Sequence, residues 1–483
     1  MTRDFSRRKF VTTSLGALAG SALLADRSLA GGLGFLQEAA PPATAASTTI
    51  RAMKRTLDIN GKAANVLGLL QPNGAQGMSI NVNDPFRVTV DNQLNVLTAI
   101  HWHGLHPPNN EDGVPGVTQP PIRAGAAVFY NFPTVPAGTH WMHSHQGLQE
   151  AQLLAAPLIV RDPADHAGDE QEVVIMLSDY SFTPPPEIYA KLRQGQKDMA
   201  TMKAAASKPD ANDVNYDAYL ANDRTLRDPE VVKVEKGGRV RLRIINGSSG
   251  TNFFVDLGTL GGELIATDGM PVKPVSRSRF PLAIAQRIDV MVTIPRDGGA
   301  FPVLALRELA VEQTGIILAT PGATVPRLPE KGASATGLLT LDLESELAAV
   351  NPLPPRKVDT ASVLRLQGNM AKYDWLINGK AFDVNDPGKE KAQVQVREGQ
   401  RVAIKFVNET PMSHPMHLHG HAFEVVAIND RSIAGAVRDT VLVTGKTSVT
   451  VQFDANNPGL WYVHCHVLWH LAAGMATLVQ YNA

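Results

Sequence analysis

The sequence GLWYVHCHVLWHLAAGM, which runs from Gly459 to Met475, is the most informative stretch of this 483-residue chain. It contains the only cysteine, Cys465, and His470 and Met475 follow it at intervals of five residues. A thiolate, an imidazole and a thioether at these spacings are typical of a blue-copper site, where two His and one Cys bind copper and a Met lies at a longer axial distance. The second imidazole must come from elsewhere, and His414, in the stretch HPMHLHGH, is the candidate.

Two more histidines, His464 and His466, flank Cys465 in a segment that the pattern predicts to be a buried strand. Successive side chains of a strand point to opposite faces. The two histidines are therefore expected to face away from Cys465 and to bind metal at a second site. Side-chain reach and metal–ligand bonds place the two sites on the order of 10 Å apart. The strand between them offers a short path for an electron.

Three segments of the chain repeat one pattern, which is a strand, a turn and an alternating strand that ends in Asn. Val234–Asn246 matches Val396–Asn408, and Val82–Asn92 is a shorter copy. The copies recur about every 150 to 160 residues, a length that suits one β-sandwich. We therefore predict an all-β protein of three consecutive β-sandwich domains. The predicted domains are residues 48–162, 163–325 and 360–483, with a connection over 326–359.

The first and third domains also share histidine motifs. GTHWMHSH, from Gly138 to His145, aligns without gaps with GLWYVHCH in the third domain. Likewise, His101-Trp-His103 aligns with His417-Leu-His419. Ser144 stands where Cys465 stands, so the first domain lacks the thiolate of a blue site.

Four His-x-His pairs give eight imidazoles that meet if the two end domains meet. Each pair projects both rings from one face of a strand, so eight nitrogens in one cleft suit three metal ions. A single pair is usually a surface feature or chance, but four pairs that are symmetric across two repeats favour a metal cluster. No histidine occurs between His166, at a domain junction, and His414. We therefore interpret the middle domain as a spacer that sets the angle between the other two.

With these motifs the chain resembles the three-domain multicopper oxidases, the family of laccases and bacterial cuprous oxidases. The resemblance covers nearly everything after residue 48 and includes all four ligand motifs in order. It implies cupredoxin-like Greek-key β-sandwich domains and four copper ions. The implied ligands are His414, Cys465, His470 and axial Met475 for type 1 copper, His101 and His417 for type 2 copper, and His103, His143, His145, His419, His464 and His466 for the type 3 pair.

The resemblance also implies an activity, in which four one-electron oxidations of phenols or similar small donors are coupled to the reduction of O2 to water. Electrons would enter at the blue site, so either His414 or His470 is expected near the surface. They would then pass through Cys465 to His464 and His466, which makes these three residues catalytic.

The residues that would pass protons to the cluster match the family pattern less closely than the metal ligands do. Asp112 matches a family acid near the cluster and is a candidate catalytic residue, but a turn Asp before Gly is an equally good interpretation. Leu471 stands where the family often has an acid directly after the blue-site histidine. The chain therefore departs from the usual proton route at that position.

Two alternative functions are kept beside the laccase-like one. A cuprous oxidase that protects against copper often carries a Met-rich segment over the blue site, whereas only Met199 and Met202 fall in the polar stretch Lys191–Asp228. A copper-free structural member of the same fold is disfavoured, because every His and Cys ligand is present.

Composition and the N-terminal segment indicate an exported protein. The net charge of −1 gives no support for nucleic-acid binding, and a single Cys excludes an intrachain disulfide. Ser6–Phe10 (SRRKF) is a twin-arginine pattern, followed by an apolar run over Val11–Ala25 and small residues at Ser28–Ala30. We predict that residues 1–47 are a signal peptide and flexible leader, and that the twin-arginine machinery exports the protein to the periplasm. We expect no stable membrane anchor.

Overall fold

The computed structural model describes residues 47–163, 168–194 and 212–482. Nearly all of the predicted signal peptide and leader lies outside these residues, as do His166, Met199 and Met202. Within the described residues the chain is built mainly of β-strands, and no helix there is long and apolar enough to cross a membrane. The all-β prediction is confirmed.

The first β-sandwich has two four-stranded sheets. Its strands are β1 (Thr48–Ile59), β2 (Lys62–Leu70), β3 (Met78–Asn81), β4 (Pro85–Asn92), β5 (Ile100–His103), β6 (Ala127–Pro133), β7 (Gly138–Ser144) and β8 (Ala155–Arg161). The sheet orders are β2-β1-β4-β6 and β3-β8-β7-β5. Along β4, Phe86, Val88 and Val90 are buried and alternate with more exposed residues, which places one face of this sheet on the core.

The second β-sandwich follows the same plan with a six-stranded and a five-stranded sheet. Its elements are β9 (Glu170–Tyr180), helix α1 (Pro185–Arg193), β10 (Ala218–Ala221), β11 (Val231–Lys233), β12 (Arg239–Asn246), β13 (Phe253–Asp256), β14 (Gly262–Thr267), β15 (Met270–Arg277), β16 (Arg279–Leu282), β17 (Arg287–Thr293), β18 (Ala300–Arg307) and β19 (Gln313–Ala319). The sheet orders are β10-β9-β12-β17-β14-β15 and β11-β19-β18-β13-β16.

The third β-sandwich is preceded by helix α2 (Asp342–Glu346). Its elements are β20 (Thr360–Asn369), β21 (Asp374–Ile377), β22 (Val394–Arg397), β23 (Arg401–Asn408), β24 (His414–Leu418), β25 (Phe423–Ile428), β26 (Arg431–Ser432), β27 (Val437–Arg438), β28 (Thr440–Val443), β29 (Ser448–Asp454), β30 (Leu460–Cys465), helix α3 (Leu468–Ala472) and β31 (Ala476–Asn482). One sheet has the order β21-β20-β23-β29-β25-β26, with β27 paired to β25, and the other has the order β22-β31-β30-β24-β28.

The repeated sequence pattern occupies the same position in each sandwich. Strands β4, β12 and β23 each pair in parallel with the first strand of their sandwich and antiparallel with another neighbour. The Asn that ends each copy is buried, and its side-chain amide donates to backbone carbonyls of the following turn and of a neighbouring loop or strand. Buried carbonyls need such partners, which explains why the pattern ends in Asn. These residues are Asn92, Asn246 and Asn408.

The predicted connection over 326–359 packs against the rest of the chain. Leu343 and Leu347 are buried with apolar residues of the second sandwich, and Glu344 forms a buried ion pair with Arg438. The sheets extend over residues 48–161, 170–319 and 360–482. The domain limits themselves stay a prediction.

Candidate metal centres

The four His-x-His pairs lie on neighbouring strands within each end domain. β5 pairs with β7 so that His101 is opposite His143, and β24 pairs with β30 so that His417 is opposite His464. Opposite residues of an antiparallel pair project to the same face of the sheet. Each end domain therefore presents four imidazoles on one face, as the aligned motifs indicate.

The two faces meet, and each of the four first-domain imidazoles of these pairs lies beside one of the third domain. The ring centroids are 3.8 Å apart for His101 and His419, and 3.7 Å apart for His103 and His417. They are 5.0 Å apart for His143 and His466, and 5.2 Å apart for His145 and His464. The eight histidines thus form one cluster between the domains, and several sets of three ring nitrogens lie within 4.8 Å of one another.

Two glycines allow the His-x-His-Gly turns to approach their neighbours. Gly104 and Gly420, directly after the two pairs, have φ angles of 94° and 66°. A Cβ on Gly104 would lie 2.3 Å from His140 Nδ1 and 2.6 Å from an Arg287 nitrogen, and one on Gly420 would lie 2.3 Å from the Trp461 ring. Only glycine satisfies both the conformation and the space.

The residues proposed for the blue site lie on the other side of β30. Cys465 Sγ is 3.7 Å from His414 Nδ1 and 3.6 Å from His470 Nδ1, and the two nitrogens are 3.2 Å apart. Met475 is fully buried, and its carbonyl accepts a hydrogen bond from the Cys465 amide. His470 lies on α3, which follows the strand directly.

Hydrogen bonds to the cluster imidazoles leave ring nitrogens available for metal. His101 and His417 donate through Nδ1 to the backbone carbonyls of Asp112 and Asp439, at 2.8 Å and 2.9 Å, and their Nε2 atoms are buried without a partner. His103 is reversed, because its Nε2 contacts Asp439 at 3.0 Å and its Nδ1 is buried without a partner. Buried polar atoms without partners are rare in proteins, so these nitrogens fit metal ligands.

Burial also sets the protonation of both sites. It lowers the pKa of seven cluster histidines and of His414 below the usual range, so these rings are neutral, as metal ligands must be. Burial raises the pKa of the Cys465 thiol, so that thiol needs a bound cation to lose its proton. The cluster histidines with a lowered pKa are His103, His143, His145, His417, His419, His464 and His466.

Buried carboxylates surround the cluster, and one of them was predicted. Asp112 Oδ2 accepts from His419 Nδ1 at 2.9 Å, so this residue contacts imidazoles of both end domains. It also ends the short 3-10 helix Asn109–Glu111 before Gly113, so it is a turn Asp as well. Both interpretations of Asp112 agree with its position, and its catalytic role stays a prediction.

Three other acidic residues of the sites were missed by sequence reasoning. Glu150 Oε2 lies 2.8 Å from His143 Nδ1, and burial raises the pKa of Glu150 well above its usual range. Asp439 contacts His103, and Asp213 Oδ2 lies 2.9 Å from His470 Nε2. The only sequence signal was the position of Glu150, five residues after His145. The other two follow no motif.

The prediction that a blue-site imidazole approaches the surface is wrong for the structure as described. His414 and His470 are both 0 % exposed. The outer nitrogen of His414 contacts Thr410 Oγ1 at 2.8 Å, and that of His470 contacts Asp213. The Tyr373 hydroxyl donates to the same Asp213 oxygen at 2.6 Å. Asp213 lies in the polar stretch Lys191–Asp228, yet its carboxylate turns inward.

Fold and site together define a protein of three consecutive cupredoxin-like β-sandwiches with a His-Cys-His strand between two candidate metal centres. Models of the multicopper oxidase family match residues 60–165, 171–320 and 355–483. The chain is 32% identical to multicopper oxidase MmcO of Mycobacterium tuberculosis, over 99% of the chain and 97% of that protein. The chain belongs to the multicopper oxidase family, whose members are oxidoreductases that use copper and O2.

Two further similarities bear on fold and substrate. Copper resistance protein A of Escherichia coli is 26% identical over 81% of this chain and 85% of its own length. The crystal structure of a laccase from Botrytis aclada superposes with a TM-score of 0.74, covering 89% of this chain and 86% of that one at 23% identity. The latter supports the cupredoxin-like fold, and the fold-class prediction is confirmed.

Proposed function

We propose that this chain is a laccase-like oxidase that binds four copper ions and couples the oxidation of small donors to the reduction of O2 to water. The proposed ligands are those implied by the motifs. They are His414, Cys465, His470 and Met475 at the blue site, His101 and His417 for type 2 copper, and His103, His143, His145, His419, His464 and His466 for the type 3 pair. The observation that carries the proposal is the pairing of the eight imidazoles across the interface of the end domains.

Bound copper would supply the one-electron redox chemistry, and the protein supplies position, insulation and protons. Cys465 contacts the blue-site imidazoles, while its neighbours His464 and His466 reach the cluster, so the two centres share one strand. The burial of every ligand except the half-buried His145 excludes bulk water. We propose that two of the carboxyl groups that contact cluster imidazoles, Asp112 and Glu150, pass protons to the site.

A donor of this enzyme does not contact the blue-site imidazoles directly. Its electron crosses a cover that includes Asp213, Tyr373 and Trp375, whose ring lies 3.9 Å from that of His470. In the described residues, Met412 and Met416 near this site are buried in the core. The aromatic rings of this cover favour aromatic donors over a cuprous ion, which prefers thioether ligands.

A periplasmic cuprous oxidase in copper tolerance is the second candidate. The similarity to copper resistance protein A and the carboxylate of Asp213 beside His470 favour it.

We expect catalytic efficiency for a substituted phenol to exceed that for cuprous ion by about tenfold, a difference of about 1.4 kcal/mol in transition-state stabilisation. Both should be measured as oxygen uptake with one copper-loaded preparation. Poor phenol turnover with fast cuprous oxidation, strongly stimulated by added copper, would select the second candidate.

Export by the twin-arginine route is also proposed. Replacing Arg7 and Arg8 with Lys keeps the charge but removes the guanidinium pair, and we expect the protein to remain in the cytoplasm of the expressing bacterium. Arg3→Lys is the matched control and should be exported normally. Cell fractionation with copper-dependent activity in each fraction measures the outcome. Unchanged export of the double variant would refute this route.

A further inference from the structure

The guanidinium of Arg287, on β17 of the middle domain, joins all three domains. Arg287 is 0 % exposed, and it holds the Asp439 carboxylate of the third domain with two hydrogen bonds, one of them 2.7 Å long. It also donates to the carbonyl of Thr139 in the first domain at 3.0 Å and to that of Asp268 in its own domain at 3.0 Å. Thr139 lies on β7, the strand that carries His143.

Asp439 in turn contacts an imidazole from each end domain. Its Oδ1 accepts from His103 Nε2 at 3.0 Å, and its backbone carbonyl accepts from His417 Nδ1 at 2.9 Å. Thr440 Oγ1 donates to the same carboxylate oxygen at 2.8 Å. The His103 and His417 rings stack at 3.7 Å. One residue therefore orients two imidazoles that sit side by side in the cluster.

The paired hydrogen bonds from the Arg287 guanidinium maintain this arrangement. They hold both oxygens of the buried Asp439 carboxylate in place. A charged carboxylate can only accept hydrogen bonds, so it requires the hydrogen on His103 Nε2 and leaves His103 Nδ1 free. Without these paired donors the buried carboxylate is free to reorient, and His103 then loses the partner that fixes its ring.

We propose that Arg287 is a positioning residue of the histidine cluster, so that the middle domain does more than set the angle between its neighbours. Arg287 fixes the Asp439 carboxylate. Asp439 in turn fixes the tautomer and orientation of His103 and the orientation of the His417 ring. We call this chain of contacts the relay, and copper affinity at the cluster depends on it. The inference rests on the proposed copper sites. Interactions of this kind, one step removed from a metal, typically change metal affinity by about 10- to 100-fold.

Arg287→Lys tests the proposal, with Arg243→Lys as its matched control. Lysine keeps the charge but cannot make the paired hydrogen bonds of a guanidinium. Arg243 is also buried and contacts Thr139 of the first domain, but the carboxylates it pairs with are Glu172 and Asp289 rather than Asp439. Copper per chain, the electron paramagnetic resonance signal of the non-blue copper and the visible absorption of the Cys465 site are measured on both variants.

We expect Arg287→Lys to bind copper at the cluster about 10- to 100-fold more weakly and to change the non-blue resonance signal, while keeping its blue absorption. Arg243→Lys should match the parent. Asp439→Asn should reproduce the spectral change, and the double variant Arg287→Lys/Asp439→Asn should be little worse than either single one, because both act through one relay.

The relay would be overturned if Arg287→Lys bound copper at the cluster as tightly as the parent. It would also be overturned if Arg243→Lys lost as much copper affinity, or if the losses in the double variant were additive. If Arg287→Lys does not fold, Asp439→Asn tests the relay in its place. A parent protein that lacks blue absorption and cluster copper would instead contradict the proposed function, so the two failures are distinguishable.

Discussion

Cys465→Ser is expected to abolish the visible absorption and to reduce donor oxidation by about 10³-fold or more. The physical reason is that Cys465 Sγ is the only thiol in the chain and lies against both blue-site imidazoles. The intense colour of such a site requires a thiolate bound to copper, and a serine hydroxyl cannot replace it. The eight-histidine cluster should still bind copper, since it lies on the opposite face of β30.

Ser144→Ala is the control for this substitution. Ser144 occupies the matching position in the first domain, where its hydroxyl donates to Gln149 at 2.8 Å. This variant should remain blue and active. Absorption spectra, copper content and oxygen uptake of both variants are the measurements. A blue Cys465→Ser protein, or one that has lost copper from every site, would show that the two centres are not arranged as proposed.

His143→Ala should separate the two centres in the other direction. We expect oxygen uptake to fall by about 10³-fold or more, because His143 belongs to the shared cluster and lies beside His466 of the third domain. The blue absorption should persist, since no blue-site residue comes from the first domain. A donor should then bleach the blue colour once, without continued turnover.

His106→Ala is the matched control, because His106 also belongs to the first domain but to none of the four His-x-His pairs. It should turn over at a rate close to that of the parent. Stopped-flow bleaching with a reducing phenol, followed by reoxidation in air, measures both variants. Full oxygen uptake by His143→Ala would contradict a cluster built from both end domains.

Local patterns explain why much of this protein could be predicted. Strand alternation places His464 and His466 opposite Cys465, and the repeat that ends in Asn92, Asn246 or Asn408 marks equivalent strands of three sandwiches. Both signals depend on neighbours in the sequence. The same signals predicted that the histidine pairs meet in one site, because a repeated fold places matching motifs on matching faces.

The carboxylates around the sites depend on contacts that no local pattern encodes. Asp439 is 336 residues from His103, and Asp213 is 257 residues from His470. Arg287 lies at the start of an ordinary buried strand, and only the docking of the middle domain brings it to Asp439. The mistaken expectation of an exposed blue-site imidazole has the same origin, since Asp213 comes from a polar stretch that gave no sign of turning inward.

In the proposed function, electrons collected at the Cys465 site reduce O2 fully at the shared histidine cluster. The most direct test records donor oxidation and oxygen uptake together in one copper-loaded preparation, before and after catalase is added. We expect four donor molecules to be oxidised for each O2 consumed, with no oxygen returned by catalase. Two donors per O2, with oxygen released when catalase is added, would mean that the product is hydrogen peroxide and would contradict the claim.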